Sequence, residues 1–168
     1  MERNYKEILN DITTFVFDID GVLTDGSVQV TSEGFLIRTM NVKDGFALKQ
    51  AIKQGYEILF ISGGTNEGVR TRLKDLGITN IHLGIQDKVE CLEEFLDVYD
   101  ISTKNVAYMG DDIPDLYPMK LVALPTCPQD AVPEVKAVAK YISHRNGGDA
   151  CARDLIEQVL KAQDKWVV

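Results

Sequence analysis

The sequence predicts an α/β fold, a Rossmann-like three-layer arrangement in which a parallel sheet carries helices on both faces. Three observations carry this prediction. Short apolar, β-branched runs alternate along the chain with amphipathic helical stripes. Three of the runs end in polar clusters, Asp18-Ile19-Asp20, Ser62-Gly63-Gly64 and Gly110-Asp111-Asp112. In such sheets ligands bind beyond the carboxyl ends of the strands, where these clusters fall. Finally, a chain of 168 residues, 45% hydrophobic and 26% charged, buries a substantial core within one domain without disulfides.

Each element follows from its local pattern. Met1 to Ile12 is polar and mixed in charge, with no apolar signal core. Thr13 to Phe17 reads as a buried strand ending at Asp18. Ser27 to Val30 and Phe35 to Met40 read as two strands of a β-hairpin, turning through Thr31-Ser32-Glu33-Gly34. A helix begins near Phe46, and Tyr56 to Ile61 is the second core strand. Val69, Leu73 and Leu76 form a helical stripe that Gly77 stops. Asn80 to Leu83 is a weaker strand, followed by the helical stripe Val89, Leu92, Leu96 and Tyr99. Asn105 to Met109 is the next core strand. Lys120 to Leu124 and Ala139 to Ile142 are weaker ones, and Leu155, Ile156, Val159 and Leu160 mark the last helix. No repeat, low-complexity tract or linker interrupts the pattern, so residues 1–168 read as one domain.

The composition excludes several function classes. With Lys plus Arg 18 and Asp plus Glu 26, the net charge is -8. That balance argues against nucleic acid, whose phosphates call for clustered Lys and Arg. It leaves room for a small anionic substrate at a locally positive site. No stretch has the length of a membrane span, so a cytoplasmic protein is expected. Cys91, Cys127 and Cys151 are odd in number and far apart, which suggests neither a disulfide framework nor a zinc site.

The strand ends carry the chemistry. Residues two apart in an extended chain point to the same side, so Asp18 and Asp20 face one site. Two carboxylates there are costly unless a cation or a reaction uses them. Taken alone, the stretch is equally an Asp-Gly turn after a strand. Gly110-Asp111-Asp112-Ile113-Pro114-Asp115 adds a second acidic cluster, and oxygen ligands in that number suit Mg²⁺. One of Asp112 and Asp115 is also expected to cap the following helix. Ser62-Gly63-Gly64-Thr65 offers a hydroxyl and backbone N–H groups to an anion. Lys88 stands near a helix start, where the helix dipole disfavours a cation.

Taken together in chain order, Asp-x-Asp, Ser62, Lys88 and then Gly-Asp-Asp-x-x-Asp, these four motifs resemble the haloacid dehalogenase superfamily of phosphotransferases, and the resemblance covers nearly the whole chain. It implies Asp18 as nucleophile and Asp20 as general acid/base. It further implies Ser62, with Gly63 beside it, and Lys88 as phosphate-holding residues. Mg²⁺ would be held by Asp18, Asp111 and the Asp20 backbone carbonyl. Asp112 and Asp115 would support the acidic loop.

Superfamily members usually carry a cap domain between these motifs, and no interval here holds one. That combination is similar to the capless subfamily of sugar-acid phosphatases, which are homotetramers. The resemblance implies that the hairpin builds the subunit interface and that a neighbouring subunit covers the site. It implies a 2-keto-3-deoxy sugar acid phosphate as substrate, the eight-carbon octulosonate 8-phosphate ahead of a nine-carbon nonulosonate 9-phosphate. Asn41-Val42-Lys43-Asp44-Gly45 resembles a family segment near the site, which makes Lys43 a substrate-binding candidate, as is Arg70. Arg145-Asn146-Gly147-Gly148 with Arg153 resembles the family's Gly-Gly and Arg pattern before the last helix. Four positions depart from the pattern. Gly64 stands where an Arg is often found, Ala150 and Cys151 replace Gly and Ala, and Asp154 replaces Glu. A mutase of the same superfamily ranks lower, because a mutase must keep water from its aspartyl phosphate. A non-catalytic oligomerising or regulatory homologue is the alternative from another class.

Overall fold

The computed structural model describes residues 3–168. Its centre is a six-stranded sheet in which every pairing is parallel. The strands are β1 (Thr14–Phe17), β4 (Glu57–Ile61), β5 (Asn80–His82), β6 (Val106–Met109), β7 (Leu124–Cys127) and β8 (Tyr141–Ile142). Their order across the sheet is β5-β4-β1-β6-β7-β8. A separate two-stranded antiparallel hairpin joins β2 (Gln29–Val30) to β3 (Leu36–Ile37). The helices are α1 (Tyr5–Ile8), α2 (Val42–Lys53), α3 (Glu67–Asp75), α4 (Lys88–Val98), α5 (Leu116–Leu121), α6 (Pro133–Val138) and α7 (Cys151–Ala162).

Two cores sandwich the sheet, and strand alternation sorts residues between them. Phe15, Phe17, Ile58 and Phe60 face one core with Leu48 of α2, Leu73 of α3 and Ile156 of α7. Val16, Leu59, Ile61 and Tyr108 face the other, with Leu92 and Phe95 of α4, Met119 of α5 and Val135 of α6. Because both faces are covered, the central strands read as unbroken apolar runs rather than alternating ones. The expected three-layer architecture is therefore present. Among the described residues only the hairpin and α2 lie between β1 and β4, and no cap domain is inserted.

Three expectations shift. The strand placed at Lys120 to Leu124 begins at Leu124 and runs to Cys127, because Lys120 and Leu121 complete α5. Pro125, a residue without a ladder N–H, masked the strand in the sequence. The hairpin strands shrink to two residues each, and all four residues are exposed. The N-terminal segment, read only as polar, forms α1 and a following one-turn helix whose Ile8 and Leu9 join the first core.

The chain order creates the site. From β1 the sheet grows outward through β4 and β5 on one side and through β6 to β8 on the other. The crevice at such a reversal lies beyond the carboxyl ends of β1 and β6. Phe17 is in register with Met109, so Asp18 and Gly110 leave the sheet side by side.

Candidate active site

Asp18 continues the β1 ladder through its backbone, donating its N–H to the Met109 carbonyl at 3.0 Å. The chain then turns. The N–H groups of Val22, Leu23 and Thr24 all reach the Ile19 carbonyl, and the buried Thr24 hydroxyl accepts from Gly21 and Gly26 N–H at 3.2 Å each. From behind, Gly148 donates its N–H to the Val22 carbonyl at 3.0 Å. The segment 146–148 thus braces the loop that carries Asp20.

Three charged groups meet at the centre. Lys88 is the first residue of α4, and helical side chains tilt toward the N-terminus. Its ammonium therefore points at the strand ends, 2.8 Å from Asp115 Oδ1 and 3.1 Å from Asp18 Oδ1. All three side chains are buried. The two carboxylates supply what the helix dipole withholds. Burial alone would lower the Lys88 pKa, but Asp115 and Asp18 outweigh it and hold the ammonium protonated. Burial and then the charge of Asp115 push the Asp18 pKa well up, against the pull of Lys88.

Asp115 is fully committed to holding the site together. Oδ1 accepts from Lys88 Nζ and from the Tyr108 hydroxyl at 2.9 Å, while Oδ2 accepts from Asp111 N–H at 3.1 Å. Asp112 caps the one-turn helix Ile113–Asp115, accepting from Ile113 N–H at 2.8 Å. The expected division of labour in this acidic loop is therefore realised. Tyr108 is the addition: it lies inside a strand whose apolar run gave no sign of a polar partner.

Carboxylate oxygens of Asp18, Asp111 and Asp115 lie within 4.8 Å of one another. With Asp115 occupied by its donors, Asp18 and Asp111 are the pair with lone pairs to offer a cation. Asp111 Oδ1 is buried without a hydrogen-bond partner among the described residues, a costly state that a cation relieves. Burial, then the charge of Asp115, push Asp111 up to about 7. Hard oxygen donors from two carboxylates fit Mg²⁺.

Asp20 faces the crevice one turn on. It shares a small depression with Ser62, Gly64 and Arg38. Ser62 is buried, and its hydroxyl accepts from Gly64 N–H at 3.1 Å, while Gly63 is exposed at the turn. Arg38, which the sequence did not single out, forks onto Asp20, with Nε 2.7 Å from Oδ1 and Nη2 3.0 Å from Oδ2. Nothing in its hairpin context distinguished it from a solvated cation.

Two sequence candidates lie elsewhere. Arg70 binds Glu67 and donates from Nη1 to the Ile81 carbonyl at 2.9 Å, which ties α3 to β5. Lys43 lines a separate cavity of about 370 Å³ with Arg145, Arg153, Glu157 and Lys161. Its neighbour Asp44 is buried and accepts Arg153 N–H at 2.9 Å, capping α7 from outside because Ala150 has no side chain to do so. The Arg153 guanidinium lies over the rings of Phe46 and Trp166, while Val167 and Val168 beyond them are exposed.

Comparison with known proteins agrees with this geometry. The haloacid dehalogenase-like hydrolase family matches residues 81–155. The 3-deoxy-D-manno-octulosonate 8-phosphate phosphatase of Salmonella typhi is 32% identical over 155 residues, covering 92% of this chain and 82% of that protein. The crystal structure of the Yersinia pestis phosphatase of the same name superposes with a TM-score of 0.93 at 30% identity, covering 95% of this chain and 86% of the other. A Moraxella catarrhalis phosphatase of that name, in complex with magnesium, phosphate and the sugar acid, gives a TM-score of 0.93 at 31% identity. It covers 96% of this chain and 92% of that one. Over nearly its whole length the chain is similar to the 3-deoxy-D-manno-octulosonate 8-phosphate phosphatases, and it belongs to the haloacid dehalogenase-like hydrolases.

Proposed function

We propose that this chain is a Mg²⁺-dependent phosphoric monoester hydrolase that converts 3-deoxy-D-manno-octulosonate 8-phosphate to the free sugar acid and phosphate. The observation that carries the reading is the buried Asp18–Lys88–Asp115 cluster beside Asp111 at the strand crossover. In this reading Asp18 Oδ attacks phosphorus and forms an aspartyl phosphate. Lys88 and the Ser62 hydroxyl, with Gly63 N–H, hold the phosphoryl oxygens. Asp20 gives its proton to the leaving alkoxide and then takes one from the water that cleaves the aspartyl phosphate. Asp18, Asp111 and the Asp20 carbonyl would hold Mg²⁺, which supplies the positive charge that lets an anionic nucleophile meet a phosphate. Lys43 and Arg70 remain proposed substrate-binding residues only if another subunit brings them to a neighbour's site.

A lidless site needs cover, because excluding water strengthens every charge interaction within it. We assign that cover to a second copy of the chain in a homotetramer. Val30 and Phe35 of the hairpin are each 69% exposed, an apolar strip suited to burial between copies. Among the described residues no helix is long and apolar enough to cross a membrane. The proposal takes residues 1–168 as one domain that acts in the cytoplasm.

Phosphate release with Mg²⁺ tests the reading, with the octulosonate 8-phosphate and a nonulosonate 9-phosphate at matched concentration. Preference for the eight-carbon ester is expected. Preference for the nine-carbon ester moves the substrate, and release from neither points to a non-catalytic homologue. A mass of 18.7 kDa by light scattering at micromolar protein refutes the tetramer.

A further inference from the structure

Arg38 stands just beyond β3, yet its side chain is turned inward and only 9% exposed. Two of its three nitrogens are spent on the two oxygens of Asp20. The third, Nη1, is buried with no partner among the described residues. A guanidinium serving only as a surface staple would keep that nitrogen in water. A parallel fork fixes both the direction of a carboxylate and the rotation of its plane, which a single point charge cannot do. The surroundings leave room for it: a Cβ on Gly64 would sit 3.2 Å from Arg38 Nη2 and 3.4 Å from Asp20 Oδ2.

The hairpin itself is weakly anchored. Its strand residues are exposed. Besides the Arg38 fork, Asn66 donates from Nδ2 to the Leu36 carbonyl at 2.9 Å. Placement of the hairpin and orientation of Asp20 are thus two ends of one contact.

We propose that Arg38 is the positioning residue for Asp20, so that the hairpin carries part of the proton-transfer apparatus. This rests on the reading of Asp20 as the acid that protonates the leaving group. In that step the Asp18 O–P bond forms, the ester O–P bond breaks, and the departing alkoxide takes the Asp20 proton. The carboxylate left behind recovers a proton from the hydrolytic water. An alkoxide requires that proton, whereas 4-nitrophenolate leaves without it. A residue acting through Asp20 therefore matters for one ester and not for the other.

The test is first-turnover release of the alcohol, with enzyme in excess and Mg²⁺ present. The octulosonate 8-phosphate is compared with 4-nitrophenyl phosphate. General acid catalysis contributes about 10²–10⁴-fold. Arg38→Gln is expected to slow the sugar ester about 100-fold, to change the nitrophenyl ester less than about 3-fold, and to leave KM for the sugar ester near its original value. Asp20→Asn is expected to give the same split. The double variant should be no slower than Asp20→Asn alone, because the two residues act as one unit. Arg38→Lys, which keeps the charge but not the fork, should recover part of the loss and serves as the readout if Arg38→Gln does not fold. Equal loss on both esters, no loss on either, or additive losses in the double variant overturn the role of Arg38. Release of neither alcohol by the unsubstituted enzyme overturns the phosphatase reading on which it stands.

Discussion

Asp111 carries its carboxylate into the space that a side chain at Gly21 would fill: a Cβ on Gly21 would lie 1.8 Å from Asp111 Oδ2. Gly21 also has φ of +91°, a conformation that L side chains rarely adopt. One residue thus permits both the turn after Asp20 and the approach of the second acidic loop. Gly21→Ala is expected to push Asp111 away from Asp18 and weaken Mg²⁺ binding about 10–100-fold, the range for disturbed ligand support. A titration of phosphate release against Mg²⁺ measures it. An unchanged half-saturating concentration would show that Asp111 does not depend on this contact.

Asp115 is the keystone by a count of donors rather than by contact with substrate. Asp115→Ala strands the Tyr108 hydroxyl and Asp111 N–H, and leaves the Lys88 ammonium with Asp18 alone. Breaking a buried pair costs about 3–5 kcal/mol. For a domain of this size that is a fall in melting temperature on the order of 10 °C. Thermal unfolding by circular dichroism decides it. A change of only a degree or two would mean that the cluster relaxes around the loss.

How much of this was legible before the structure depends on the distance over which each signal acts. Asp18, Asp111 and Lys88 were legible because each stands at a strand end or helix start, and alternation of elements alone brings such ends together. That Asp115 supports the acidic loop was implied by the resemblance, but its bonds to Lys88 and the Tyr108 hydroxyl were not legible in its place at a helix start. Arg38 and Tyr108 could not be read, since what makes them matter is a partner 18 residues away in one case and a buried hydroxyl within an apolar strand in the other. β7 was displaced because Pro125 hides a strand, while the apolar residues before it belong in part to a helix. Lys43 lines a separate cavity within one copy of the chain, and its neighbour Asp44 accepts Arg153 N–H at the start of α7, a contact between residues too far apart in the chain for their local motifs to show.

Metal binding should depend on pH with a definite sign. Burial and the charge of Asp115 raise Asp111 to about 7, and a carboxylate must be ionised to hold a hard cation. Below that pH the proton competes, so apparent Mg²⁺ affinity is expected to fall as pH drops from about 8 to 6, with proton release on binding. Calorimetry in buffers of different ionisation enthalpy counts the protons. Affinity that stays flat across this range would remove Asp111 as the competing group.

Asp18 brings activity and stability into opposition. Its pKa is raised, first by burial and then by Asp115, so the folded protein holds this proton more tightly than the unfolded chain does. Such a group contributes stability at low pH that is lost as pH rises through its folded pKa, and the ionised form needed for attack is the destabilised one. Asp18→Asn removes the charge. Its side-chain oxygen still accepts Ile19 N–H, which lies 2.7 Å from Oδ1, and the Lys88 ammonium. Turnover should therefore vanish, while the metal-free melting temperature near neutral pH should equal or exceed that of the unsubstituted protein. Parallel phosphate-release and unfolding measurements test the two halves separately. More than trace turnover removes Asp18 as nucleophile. Full loss of turnover with a lower melting temperature would mean that the buried carboxylate is held favourably by Lys88 and contributes to the fold it was taken to strain.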